Sequence, residues 1–417
     1  MKFRPLATLI LALSCHAGAV EPTGLRSWTS ISGNRVTGKA TEMTPNGSVQ
    51  LVTKDGRELT IGIAEFSKAD QAFLEEHFGR KAPPQAVTTG IHRGPLKADA
   101  DTSYHLYLPK DLDPELRSPV LIWTQSDGAK PGTLQRFSEA ADVLGMIIAS
   151  PVEARNEGQV TLINNMAHSR SVLSKLGREF SINREAVHFG GDKSGAAAAF
   201  QNSAKMKSAG TFTVSGFFTP DMTAVNEGHH FMAGSTNSSN RYLTAWAAAK
   251  FGEEGTHYLY EGTREMPESG DIAIGMTWMY AQGLYENLAS RGAEAAAFEK
   301  RALPWLKELA ETSEGDAAYL TRMLTKECKL RGRFKQEVER LHSKLTRNPE
   351  TVIHVKGLEA LDDFSEKELA KYGNHFSPLP EHAPKKFERM SANLAEKYQE
   401  ADDLQPIFKQ LAKPTHR

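Results

Sequence analysis

Residues 186–200, Ala-Val-His-Phe-Gly-Gly-Asp-Lys-Ser-Gly-Ala-Ala-Ala-Ala-Phe, constrain the fold more than any other stretch of the chain. A short apolar run enters a glycine-rich turn, and an alanine-rich helix leaves it. Gly191 and Gly195 flank Lys193 where a sharp strand-to-helix reversal needs backbone clearance. Residue 193 is therefore lifted above the strand that precedes it. Its side chain, an ammonium on a flexible stem, decides what the turn can do.

The surrounding text says what the turn is set in. Short apolar runs occur at 104–108, 120–123, 146–149, 187–189, 211–214, 230–233 and 258–260, and helical stretches near 133–144, 161–180, 194–206 and 239–252 separate several of them. Strands alternating with helices predict a mostly parallel sheet covered on both faces. A helix after residue 270, with Ile274 and Trp278 on one face, closes a domain over 101–285. Residues 286–417 read as a helical C-terminal region. Leu320, Leu324 and Cys328, then Phe334, Val338, Leu341 and Leu345, predict one apolar helix face that Asn348-Pro349 ends. Beyond it the chain is charged, with weaker helices near 365–372 and 385–412, and its charge runs read as solvated faces.

Ahead of the sheet, residues 25–78 predict a small all-β unit. Trp28, Val36, Val49, Leu51, Leu59 and Ile61 recur in short alternating runs. Ser32-Gly33-Asn34, Pro45-Asn46-Gly47 and Lys54-Asp55-Gly56 break them, and Asn-Gly and Asp-Gly are strong hairpin signals. Ser67 to Asp70, followed by Phe73 and Leu74, predicts a capped helical turn that closes a compact barrel. Residues 79–100, with Pro83-Pro84 and scattered glycine, read as a linker.

Residues 1–19 read as an export signal: Lys2 and Arg4, an apolar run from Leu6 to Leu13, then Ala17-Gly18-Ala19 as a cleavage site. The expectation is a periplasmic or extracellular protein. Lipidation at Cys15 is disfavoured by Ala12 and Leu13 before it. With Cys15 removed, Cys328 is left alone, a buried inert thiol on its helix stripe, so stability rests on core burial in a chain of 417 residues. No later segment predicts a membrane span. With 50 Lys and Arg against 51 Asp and Glu, nothing points to nucleic acid.

Two resemblances follow from these residues. Arg26 to Thr29, Gly33 with Val36, Asp55-Gly56-Arg57 and Phe66 to Gln71 resemble the SLA-one homology domain, an SH3-like barrel. The resemblance implies a peptide or protein partner there, with Trp28 as a binding residue; the alternative is that Trp28 anchors the barrel's core. Residues 95–285 resemble the α/β-hydrolase superfamily of the secreted polyhydroxybutyrate-depolymerase and feruloyl-esterase type. The residues that carry this are Pro119 to Trp123 with Asp127-Gly128, Ala140 to Pro151, and the turn at 193, which corresponds to the family's nucleophile elbow. The overall class is then multidomain: an SH3-like barrel, an α/β-hydrolase-like sheet, and a helical region.

The family's triad runs nucleophile, acid, histidine. The nucleophile position falls on Lys193. A frame shifted to Ser194 needs glycines at 192 and 196, where Asp192 and Ala196 stand. The acid position in the loop 232–237 falls on Asn237, an amide, and the histidine position in 260–267 falls on Arg264, which stays protonated and cannot serve as a base. The oxyanion-hole run also differs, reading Trp123-Thr124-Gln125-Ser126. The expectation is a hydrolase fold without hydrolase chemistry, no cofactor, and a binding or scaffolding role. Lys193, Arg264 and Asn237 can also be read as a pocket for a carboxylate or phosphate. Against that stands a vestigial cleft neutralised by Asp192 and Glu265, and both stay open.

The further readings carry less. A Lys193-Ser194 dyad is disfavoured because adjacent residues on a turn point apart. A Schiff-base lysine needs a lowered pKa, for which Arg264 is the available cation. A secreted esterase with a non-standard site remains the alternative function. A P-loop fails at Val187 and Asp192. Gly228-His229-His230, His188 and His257 read as core or loop histidines, since adjacent strand residues face opposite sides.

Overall fold

The computed structural model describes residues 22–43, 48–79, 89–114, 116–154, 158–216, 228–262, 266–372 and 385–413. Residues 1–19, read above as an export signal, lie outside them, Cys15 included. The chain divides into two compact units, Met1–Ala82 and Pro83–Arg417.

The first unit holds β1 (Arg26–Thr29), β2 (Arg35–Met43), β3 (Ser48–Thr53) and β4 (Glu58–Gly62), paired antiparallel in that order, and then α1 (Lys68–Gly79). Gly33 and Gly56 take φ of 83° and 82° in the turns, the left-handed region their type supplies without strain. The turn at 45–47 lies outside the described residues. Trp28 is fully buried, packs edge-on against Phe66 and Phe73, and donates its indole N–H to the Gly38 carbonyl at 3.0 Å. A binding role for Trp28 is therefore corrected: the ring has no surface to offer, and it is the core anchor. Ser67 and Asp70 cap α1 as expected, with the Asp70 N–H donating to Ser67 Oγ at 3.3 Å. What stands here is a four-stranded antiparallel sheet closed by a helix.

The second unit is built on eight strands: β5 (His92–Lys97), β6 (Ser103–Tyr107), β7 (Ser118–Thr124), β8 (Ile147–Pro151), β9 (Ile182–Asp192), β10 (Gly210–Val214), β11 (His229–Ser235) and β12 (Gly255–Tyr260). Their order is β12-β11-β10-β9-β7-β8-β6-β5, and only β6 runs against the rest. Every residue of β7 is buried because both faces are covered. Val120 and Ile122 face α3 (Gly158–Glu179) and α4 (Ser194–Met206). Leu121 and Trp123 face the opposite core, shared with α2 (Ser138–Leu144) and α6 (Ser269–Glu286). Beyond β11 lies α5 (Asn240–Phe251).

Three expectations change. The linker 79–100 contains β5, an edge strand whose Gly94-Pro95 bulge hides its alternation. The helical region does not form a separate unit. The helices α7 (Leu288–Thr312), α8 (Glu314–Lys326), α9 (Gly332–Leu345), α10 (Pro349–Phe364), α11 (Lys385–Lys397) and α12 (Gln405–Gln410) contribute Leu306, Leu320, Val338, Leu358, Phe387 and Phe408 to the core of Trp123 and Trp278. Finally, the stripe from Leu320 to Leu345 is two helices, broken before Gly332 at φ 63°, and Asn348 begins a helix rather than only ending one. Its side chain accepts from the Glu350 N–H at 3.1 Å, with Pro349 in the first turn. No helix among the described residues is long and apolar enough to cross a membrane.

Candidate functional site

The parallel strands all end on one edge of the sheet, and the turn at 193 lies at its centre. Lys193 adopts φ 47° and ψ −117° between β9 and α4, and its N–H donates to the Val214 carbonyl at 3.1 Å. A side chain on Gly195 would put its Cβ 1.9 Å from the Thr124 carbonyl oxygen. One on Gly191 would meet the Gly195 carbonyl carbon at 2.3 Å, and one on Gly216 would meet the Lys193 oxygen at 2.6 Å. Three glycines thus let β7, β9 and the loop after β10 close around residue 193. A mixed sheet with a strained strand-to-helix turn above its central strand fits the α/β-hydrolase fold, whose nucleophile elbow is such a turn.

This turn carries an exposed ammonium. Ser194, beside it, turns into the helix: its Oγ is buried with no hydrogen-bond partner among the described residues. Asp192, on the other side, is buried and faces the loop after β7. Its carboxylate accepts from the Ser126 N–H at 2.6 Å, the Ser126 hydroxyl at 3.2 Å and Gln125 Nε2 at 3.0 Å. Burial pushes its carboxyl above the ordinary range, opposed by the bonds from Ser126 and the charge of Lys193. In a working hydrolase this loop contributes an N–H to the oxyanion hole. Here the Ser126 N–H is spent on a carboxylate.

Asn237 follows β11. One strand, β10, separates β11 from β9, so the two strand ends lie about 10 Å apart. The Asn237 N–H donates to Ser235 Oγ at 3.3 Å, and its backbone packs against Gly262, where an added Cβ would lie 2.3 Å from the Asn237 nitrogen. Arg264 lies outside the described residues. The structure thus brings Lys193 and Asn237 to the same edge; Trp28 belongs to the other unit.

Three features of this edge escape the sequence reading. Ser215 takes φ 48°, with Lys193 and Lys207 one of three non-glycine residues at positive φ among the described residues. Its Oγ lies 3.0 Å from the Tyr260 hydroxyl, and burial pushes that phenol up to about 12. A phenol held protonated accepts no proton from a serine near neutral pH. Gln410, from α12, reaches the loops after β11 and β12: its side-chain carbonyl accepts from the Thr236 hydroxyl at 2.5 Å and the Gly262 N–H at 3.0 Å. Arg136 donates to the carbonyls of Met266 and Pro267 at 3.2 and 3.1 Å.

The histidines lie away from this edge or serve the core. His229 pairs with Glu286 at 2.9 Å, while His230 bonds Thr211 Oγ1 at 2.8 Å. His257 bonds Thr244 Oγ1 at 2.8 Å. Burial pushes His188, His230 and His257 down to about 3, so they stay neutral. Burial likewise pushes the Cys328 thiol up.

No protein-family model and no curated protein matches the sequence. Among solved structures, an esterase of Pyrobaculum calidifontis is 10% identical, with a TM-score of 0.35, over 43% of this chain and 80% of its own. Esterase 2 of Thermogutta terrifontis is 12% identical, with a TM-score of 0.33, over 44% and 87%. An S-formylglutathione hydrolase of Staphylococcus aureus is 10% identical, with a TM-score of 0.33, over 43% and 90%. The scores are low, and the fold is read from the strand order and the elbow instead.

Proposed function

We propose that the chain is an exported, non-catalytic binding or scaffolding protein whose second unit keeps a hydrolase elbow without ester chemistry. Its cleft receives a small carboxylate- or phosphate-bearing molecule, and its first unit binds a peptide or another protein. The observation that carries the reading is Lys193 standing exposed in the strained elbow conformation. An ammonium there attracts an anion, and α4 adds the positive end of its dipole. The Ser126 N–H, tied to Asp192, supports the same reading, because an oxyanion would lack that donor. Export rests on residues 1–19. The partner at the first unit rests on the sequence resemblance of residues 25–78, with Trp28 no longer part of it.

The alternative, carboxylic-ester hydrolysis at a non-standard site, is favoured by the intact elbow backbone. Its hydroxyl would be that of Ser215, beside Tyr260. Turnover of p-nitrophenyl butyrate by the purified chain, beside Lys193→Ser and Ser215→Ala, separates the two. The binding reading expects all three at the buffer rate. Turnover by the wild type that Ser215→Ala abolishes would establish the alternative.

A further inference from the structure

We infer that Gln410 is a positioning residue of the cleft, through which the C-terminal helix α12 sets the chain after β11, which carries Asn237, and the chain leaving β12 at Gly262. The inference rests on the binding reading of that cleft. One carbonyl oxygen holds Thr236, the residue before Asn237, and Gly262, two residues after β12.

The helix that bears Gln410 is itself anchored. Phe408 and Leu411 are fully buried. Arg241, also fully buried, donates to the Thr236 carbonyl, to the Gln410 carbonyl at 3.5 Å and to the Leu411 carbonyl at 3.3 Å. A buried guanidinium requires acceptors, and the loop after β11 and the C-terminal segment supply them together. Displacing α12 would leave Arg241 short of partners and release the Gly262 N–H. The chain after β11, the chain at Gly262 and the helix therefore share their hydrogen bonds at Gln410 and Arg241.

The test uses the full chain with Gln410→Met, Gln410→Glu and Thr236→Val, read by amide hydrogen exchange, thermal midpoint and butyrate titration. Glutamate keeps the acceptor oxygen, whereas methionine keeps the bulk and loses the acceptor. Gln410→Met is expected to speed exchange at 232–238 and 258–262 at least tenfold and to weaken butyrate binding several-fold. Gln410→Glu is expected to keep wild-type protection in both loops, and Thr236→Val to fall between. Unchanged loop exchange in Gln410→Met, or faster exchange spread evenly through the second unit, overturns the inference. A wild type that binds no butyrate defeats the anion reading of the cleft, while the exchange result still decides the role of Gln410.

Discussion

The Asp192 carboxylate and the Ser126 N–H meet at 2.6 Å across the centre of the sheet edge. This bond ties the elbow to the loop after β7 and removes a donor that ester hydrolysis would use. Asp192 also accepts from Gln125 and the Ser126 hydroxyl. Asp192→Ala leaves these groups unpaired in a buried place, at a cost of about 1–3 kcal/mol. Chemical denaturation of the variant should show that loss, and Asp192→Asn a smaller one.

The elbow should be sensitive to volume and strained at one residue. Gly195→Ala forces a Cβ to within 1.9 Å of the Thr124 oxygen and should cost more than about 2 kcal/mol or prevent folding. Gly270→Ala, with nothing within 4 Å, is the neutral control. Lys193→Gly releases a φ of 47° and should gain about 1 kcal/mol. Thermal midpoints of the three variants check these signs.

Two buried groups set the pH profile in the same sense, each losing its contribution as pH rises but over different windows. Asp362 is pushed up to about 7, chiefly by burial, with Tyr319 donating to it at 2.7 Å. Its folded pKa lies above the ordinary 3.8 of an aspartate, so the fold favours the protonated form. That contribution is complete below about 4 and is lost as pH rises to 7, by about 1.4 kcal/mol per pH unit for one group. Asp362→Asn should flatten this slope in denaturation measured from pH 4 to 7.

His354 lies between Asp316 and Asp403, at 3.4 and 3.1 Å. Burial opposes its charge, but the two carboxylates prevail and raise it to about 9. A raised histidine contributes stability fully below its ordinary 6.5 and loses it as pH rises through 9. His354→Gln should lower the midpoint at pH 6 and leave it nearly unchanged at pH 10.

Trp28 is predicted to matter for folding and not for recognition. Trp28→Ala empties the core of the first unit at a cost of about 3–5 kcal/mol. Hydrogen exchange should show protection lost across residues 26–62.

Strands buried on both faces read as unbroken apolar runs, which is why β7 to β11 and the helices between them were legible. The Gly191 and Gly195 pair made the elbow legible as well, because those glycines answer a clearance need that the structure displays. Edge strand β5 was not legible, since its Gly94-Pro95 bulge breaks the alternation. The break between α8 and α9 falls in the gap between Cys328 and Phe334, where the spacing of three and four is interrupted, and the regular spacing on either side concealed it. Trp28 could be assigned either to the core or to a surface, because an aromatic residue in a short strand serves both. Gln410 left no signal: its bonds to Gly262 and Thr236 span 148 and 174 residues, from a segment that reads only as charged helix.

The central claim is that the ammonium at the elbow leaves no activated serine in the cleft. Incubation of the purified chain with a fluorophosphonate, followed by intact mass and peptide mapping, tests it most directly. The account predicts no adduct on Ser126, Ser194 or Ser215 under conditions that fully label a working esterase. Stoichiometric labelling of any one of them would contradict it.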